Sequence, residues 1–172
     1  MRKSKNKSIL ICFFDSQGIV HKEFVLPGQT VNQTFYREVL ERLRKRVAHV
    51  RPGIACTWML HHHNAPCHTA VSINEFLAEK SIPVVPQPPS SSDLSPCDFF
   101  LFPRLKNHFK GRNFGTLNNI QKSVTEELKP IPVEAFMHCY EQWKQRLRRC
   151  VAAQGTIVKG ITLICKKNKI HG

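Results

Sequence analysis

Residues 8–14 are a strand-like apolar run, and residues 19–25 read as a returning strand after the tetrapeptide Asp15-Ser-Gln-Gly18. That arrangement commits the start of the chain to a β-hairpin, because Asp and Gly meet the dihedral demands of the turn. A lone hairpin is marginal in water and needs further elements to cover its apolar side chains. The rest of the sequence supplies them. A capping-box pattern, Thr30-x-x-Gln33, opens a stretch with Phe35, Val39, Leu40, Leu43 and Val47 at helical spacing and Arg/Lys on the other face, ended by Arg51-Pro-Gly53. Residues 57–61 read as a short buried strand. Residues 66–80 read as a helix with Ile73, Phe76 and Leu77 inside, and residues 82–85 as another strand. The Pro- and Ser-rich residues 86–96 form a loop.

Asp98 opens an aromatic helix with Phe99, Phe102, Leu105 and Phe109 on one side. Pro103 lies near its start, where proline is tolerated. Thr116 caps a helix over 117–128. After Pro130 and Pro132, a last helix carries the stripe Phe136, Cys139, Tyr140, Trp143, Leu147 and Val151. The order β-β-α-β-α-β-α-α-α predicts an α/β layer fold, a mixed sheet flanked by helices. The sequence divides into a basic lead at 1–7, one domain at 8–155, and a basic tail at 156–172 that is expected to be disordered.

Charge is the strongest bulk signal. Lys and Arg total 26 against 12 acidic residues, a net charge of +14. Such a surplus makes nucleic acid the default partner. No apolar stretch reaches the length of a bilayer span, and no helix pairs a basic face with an interfacial aromatic face, so no membrane partner is expected. No small-residue cleavage site follows the run at 9–14, so no signal peptide is expected. The seven cysteines are odd in number and form no Cys-x-x-Cys pair, which suits a reducing compartment.

The chemistry concentrates in His61-His-His-Asn-Ala-Pro-Cys-His-Thr-Ala70 and in the segment from Pro88 to Pro103, which contains Asp93-Leu-Ser-Pro-Cys-Asp98. These segments closely resemble mariner-family DNA transposases. That family carries a strand ending in His-His-Asp-Asn-Ala-Pro-x-His-Thr-Ala and, downstream, Pro-Tyr-Ser-Pro-Asp-Leu-Ala-Pro-Cys-Asp. Gly28-Gln-Thr-Val-Asn32 with Phe35-Tyr36, and Trp143-Lys-x-Arg146 with Cys150, extend the resemblance to about residues 8–155. It implies an RNase H-like fold and a catalytic domain in which three carboxylates hold two Mg²⁺ or Mn²⁺ ions for DNA cleavage and strand transfer. Hard cations of this kind require oxygen ligands.

Residue by residue, the third family carboxylate falls on Asp98, the candidate catalytic and metal-binding residue. The second falls on position 63 with the family's spacing intact, but the residue there is His63. Imidazole is a poor Mg²⁺ ligand. Ser90 and Ser92 also depart from the family's Tyr and Pro. The first carboxylate belongs to a strand upstream of the hairpin, as do the modules that read transposon ends, and no segment of this sequence matches them. Asp15 is a turn residue, not a substitute for that carboxylate. In the family's fold the unmatched strand is central and separates the hairpin from the strand at 57–61. Its loss predicts a truncated fold with a gap or exposed edge in the sheet, a threat to stability.

The expected function is therefore that of a degenerate transposase fragment. It would bind DNA mostly non-specifically, in the nucleus, with cleavage lost and no small-molecule substrate. The rival readings are an active Mg-dependent enzyme within a longer chain and a non-enzymatic DNA-binding or homodimerising module. Arg104, Lys106, Lys110, Arg112, Arg146 and Arg149 are the leading candidates for phosphate contacts, with Arg42, Arg44, Lys45, Arg46, Lys144 and Arg148 behind them. A zinc site from His61, His62, His63, Cys67 and His68 is the weaker alternative, because the spacing fits no standard zinc module.

Overall fold

The computed structural model describes residues 7–88, 91–151 and 162–171, the last segment through its backbone. The basic lead at 1–6, Ser90 and tail residues 156–161 lie outside the described residues. The hairpin forms as expected from strands β1 (Lys7–Asp15) and β2 (Gly18–Val25), antiparallel with a bulge between Phe13 and Phe14. Asp15 shapes the turn by accepting the Gln17 N–H at 2.9 Å, and Gly18 sits at φ +125°, where a side chain would be strained. The Asp15 carboxylate is buried and held by Arg51 at 3.0 and 3.3 Å. That pairing excludes it from metal chemistry in this conformation and ties the end of the first helix to the hairpin.

The main departure from expectation lies in the tail. Thr162–His171 forms a ten-residue strand, β5, where disorder was expected. It runs through the middle of a five-stranded sheet of order β2-β1-β5-β3-β4, with β3 at Met59–His62 and β4 at Val84–Val85. β5 is antiparallel to β1 from Lys7↔His171 to Phe14↔Ile164, and parallel to β3 from Met59↔Thr162 to His62↔Cys165. The expected gap between the hairpin and β3 is therefore closed by the chain's own C-terminal segment. The polar composition of Lys166-Lys-Asn-Lys169 hid this strand, because a strand in a sheet covered on both faces ordinarily reads as an apolar run.

The two faces of the sheet carry separate cores. Leu10, Cys12 and Phe14 of β1 point to one side, and Ile11 and Phe13 to the other, as strand alternation requires. On the Ile11 side lie α1 (Gln33–Val50), with Tyr36, Val39, Leu40, Leu43 and Val47 buried, and α3 (Val71–Glu79), with Ile73, Phe76 and Leu77 buried. The N-cap of α1 is Asn32, not Thr30: its side chain accepts the Phe35 N–H at 2.9 Å, and Gln33 is already helical. The helix expected over 66–80 is broken at Ala70, which is extended at ψ 148°. This leaves a single turn, α2 (Pro66–Thr69), before α3. The break lets buried His68 pack toward β3 while the apolar stripe of α3 faces α1.

On the opposite side, Leu10, Cys12 and Phe14 meet α4 (Phe102–Phe109), α5 (Leu117–Leu128) and α6 (Val133–Val151). Thr116 caps α5 as expected, accepting the Asn119 N–H at 3.2 Å. The aromatic helix does not begin as an α-helix. Cys97–Leu101 is a π-helical turn, closed by the Phe102 N–H to the Cys97 carbonyl. Pro103 has no N–H to give the carbonyl four residues back, so a regular ladder cannot run through this point.

Trp143 is fully buried and gives its indole N–H to the Leu94 carbonyl at 2.9 Å, so α6 grips the loop that precedes the π-turn. Trp143→Ala should lower the unfolding free energy by about 3–5 kcal/mol, from the cavity and the orphaned carbonyl together. Urea denaturation followed by circular dichroism measures the loss. A change below about 1 kcal/mol would contradict this packing.

Candidate functional site

β3 delivers consecutive histidines to the end of the sheet, and the alternation of the strand sends the first two to opposite faces. His61 turns toward α6, with its ring 5.0 Å from that of Trp143 and its Nδ1 3.0 Å from the Val85 carbonyl oxygen. His62 turns toward α1, with its Nδ1 2.8 Å from the Tyr36 hydroxyl. His68 stacks on Tyr36 at 3.9 Å and on His62 at 5.1 Å, and meets His63 edge-on at 4.5 Å. Its Nδ1 lies 3.1 Å from the His63 carbonyl oxygen. These rings form a packed stack that fixes the end of β3. Burial pushes the His61 pKa down, offset in part by the Val85 bond. It takes His62 to about 4, with the neighbouring His61 and His63 adding to the shift. A neutral His62 ring can accept the Tyr36 hydroxyl proton at Nδ1.

Asp98 stands in the first turn of the π-helical segment, half-buried, with its backbone N–H bonded to the Ser95 carbonyl at 2.9 Å. This segment touches β5, which pairs with β3 as far as His62. Arg146 of α6 completes the surroundings. Its guanidinium lies 4.0 Å from the centre of the Phe99 ring, and Nη1 donates to the Asp93 carbonyl at 2.8 Å. Together with Trp143 it straps the loop on both sides of Asp98. Sequence patterning placed Trp143 in the core but did not show that it and Arg146 hold this loop.

The donor set does not suit a pair of divalent metals. Asp98 brings one carboxylate, His63 brings imidazole where an oxygen ligand is required, and no group of three metal-ligating side chains occurs among the described residues. The same finding gives the zinc alternative no support among those residues.

The candidate phosphate-binding residues fall into two groups. Arg42 is paired with Glu23 at 2.8 Å and Arg44 with Glu41 at 2.7 Å, so part of the charge on α1 is neutralised. Arg46 donates to the Val20 carbonyl at 3.3 Å, whereas Lys45 is exposed. On the other side of the sheet, Arg104 lies 3.6 Å from Glu127, and Lys144 is paired with Glu141 at 2.7 Å. Lys106, Lys110, Arg112, Arg148 and Arg149 are exposed on α4, the turn after it and α6. The α4–α6 side thus presents most of the exposed candidates.

Comparison with known proteins shows what this chain is similar to. Residues 1–56 match a family model described as transposase (partial DDE domain). The chain is 26% identical over 152 residues to the Mariner Mos1 transposase of Drosophila mauritiana, covering 87% of this chain and 44% of that protein. It therefore spans less than half the length of this relative. A structure of the Mos1 transposase catalytic domain with raltegravir and Mg superposes with a TM-score of 0.80 at 25% identity, covering 92% of this chain and 81% of that one. The Mos1 mariner paired-end complex with Mn superposes with a TM-score of 0.80 at 25% identity, covering 92% and 47%. The expected RNase H-like class and the mariner resemblance both hold.

The histidine stack makes stability depend on pH with a definite sign. His62 titrates near 4 when folded and near 6.5 when unfolded, so its contribution is full above about pH 6.5 and is lost as pH falls toward 4. From pH 7.5 to 4.5 the urea midpoint should drop by an amount equivalent to a few kcal/mol, on the order of 1.4 per pKa unit. His62→Gln should flatten that slope. A wild-type profile level across this range would contradict a neutral, buried His62.

Proposed function

Because this chain is a relative of the mariner transposases with the fold of their catalytic domain, we propose that it is a DNA-binding protein of transposase descent whose cleavage and strand-transfer chemistry has been lost. One observation carries the reading. The histidine stack fixes the strand end, and Arg146 and Trp143 hold the segment around the π-turn to α6, yet position 63 carries imidazole where the family resemblance puts the second carboxylate. A two-metal mechanism needs several carboxylate oxygens to offset the cations' charge and fix their spacing. Asp98 with His63 cannot supply them. The scaffold outlasts the chemistry because its stability rests on the apolar faces of the sheet, which owe nothing to position 63.

DNA binding is the function left to a scaffold of this kind. The net charge of +14 and the exposed Lys106, Lys110, Arg112 and Arg149 favour a polyanion, with Arg104 and Arg146 beside them. Contacts of this type neutralise phosphates without reading base edges, so binding is mostly non-specific. On this reading the protein works in the nucleus. Homodimerisation is a separate property that light scattering of the free protein would reveal.

Fluorescence anisotropy with a 20-base-pair duplex, together with nicking of supercoiled plasmid in Mg²⁺ or Mn²⁺, tests the proposal. Affinity should fall about 40- to 150-fold from 50 to 200 mM salt if three or four phosphates are neutralised. Plasmid should remain intact in either metal, and His63→Asp alone should not restore cleavage. Metal-dependent nicking by the wild-type chain that is abolished in Asp98→Asn would overturn the loss of chemistry. Absence of duplex binding at 50 mM salt would overturn the DNA-binding role.

A further inference from the structure

A second cluster of polar side chains lies between α4 and α5. Arg104 and His108 stand one turn apart on α4, with Arg112 just beyond its end, and Ser123 and Glu127 stand one turn apart on α5. Residues four apart share a helix face, and here the two faces meet. His108 is the centre of the contact. Its Nδ1 is 3.1 Å from Glu127 Oε2, and its Nε2 is 3.0 Å from Ser123 Oγ. Arg104 Nε lies 3.6 Å from the other carboxylate oxygen of Glu127, and Arg112 Nη1 lies 3.5 Å from His108 Nε2. The His108 ring also meets Phe109 edge-on at 5.3 Å.

These contacts fix the direction of each proton. A carboxylate only accepts, so the ring hydrogen belongs on Nδ1. A guanidinium only donates, and Arg112 faces Nε2, so that nitrogen presents its lone pair. The Ser123 hydroxyl therefore donates to Nε2. A hydroxyl bonded to the basic nitrogen of an imidazole, whose other nitrogen is held by a carboxylate, is the arrangement of an activated serine nucleophile. It is recognised by these roles and not by fold or order along the chain. The side chains of His108 and Glu127 are 21% and 24% exposed and Ser123 is half-buried, so the trio is held by its neighbours yet open to solvent.

We infer that Ser123, His108 and Glu127 form an acyl-transfer site that hydrolyses small activated esters, an activity independent of DNA binding and of positions 63 and 98. Ser123 Oγ bonds to the ester carbonyl carbon while its proton passes to His108 Nε2, and the alcohol leaves with that proton. Water then attacks the acyl-serine and gives its proton to Nε2. Ser123 Oγ takes that proton back as the carboxylic acid departs, so ester and water become acid and alcohol. Arg112, beside the Ser123–His108 junction, offers a donor to the oxyanion. Glu127 and Arg104 are positioning residues: the carboxylate holds the imidazole in its Nδ1–H tautomer, and Arg104 orients the carboxylate. Half-exposed side chains on a helix–helix contact suit short acyl groups with good leaving groups.

Turnover of 4-nitrophenyl acetate by the full chain, together with labelling by a fluorophosphonate probe located by peptide mass spectrometry, tests the inference. Ser123→Ala and His108→Gln should each slow turnover by about 100-fold, the lower end for a positioned base. The double variant should be no slower than either single one, because residues acting as a unit are not additive. Glu127→Gln should lower kcat with KM nearly unchanged. The probe should attach to Ser123 in the wild type and fail to attach in His108→Gln. Alanine is favourable within a helix, so Ser123→Ala keeps the fold, which a circular dichroism melt verifies. Ser72→Ala, which removes a hydroxyl that donates to Gln33, should match wild type. Turnover by Ser123→Ala equal to wild type, or no probe on Ser123, would reduce the trio to a clamp between α4 and α5 and sink the inference.

Discussion

The pairing of Thr162–His171 with β1 on one side and β3 on the other holds this molecule together. Among the described residues the hairpin and the β3–β4 pair share no strand pairing with each other, and β5 joins them into one sheet. Each face of that sheet is then covered by its own helices, α1 and α3 on one side and α4 to α6 on the other. Covering both faces requires a continuous surface on which helices can seat. Two separate ribbons would leave Leu10, Cys12, Ile11 and Phe13 beside an open edge, with unpaired backbone groups and exposed apolar side chains. The strand that closes the sheet follows α6 in the sequence and pairs with β1 at least 150 residues away, from Lys7↔His171 to Phe14↔Ile164, so this closure is strongly non-local and correspondingly slow to form.

The same strand links the scaffold to the functional site. It lies between the histidine-bearing end of β3 and β1, and the π-turn holding Asp98 rests against it. The rings of Tyr36, His61, His62, His68 and Trp143 fix the strand end by packing and hydrogen bonding, with burial keeping His61 and His62 in the neutral form. A site fixed this way keeps its shape without a bound ion.

Much of this was legible in the sequence, for identifiable reasons. The hairpin, the buried faces of α1 and α3, the Thr116 cap and the aromatic core were visible because apolar periodicity and turn residues report directly on local structure. The motifs at His61–Ala70 and Pro88–Pro103 carried the mariner resemblance. The misses share a cause, since each depends on a tertiary partner. β5 was unreadable because Lys166-Lys-Asn-Lys169 looks like solvated tail until its pairing with β1 is seen. Asn32 replaced Thr30 as the cap, two residues further along the chain. The break at Ala70 follows from where His68 packs, and the π-turn before Pro103 follows from a missing N–H. Arg42 and Arg44 looked free for phosphate until Glu23 and Glu41 were found beside them.

Native-state hydrogen exchange at the backbone amides of β5, compared with those of β1, tests the central claim most directly. If the C-terminal strand closes the sheet, the amides from Leu163 to Cys165, which lie between two neighbouring strands, should exchange only through global unfolding. They should share the protection and denaturant dependence of Leu10 to Phe13. Exchange of the β5 amides at the rate of an unstructured peptide, while β1 remains protected, would show that the sheet stands without its C-terminal strand and would contradict the account.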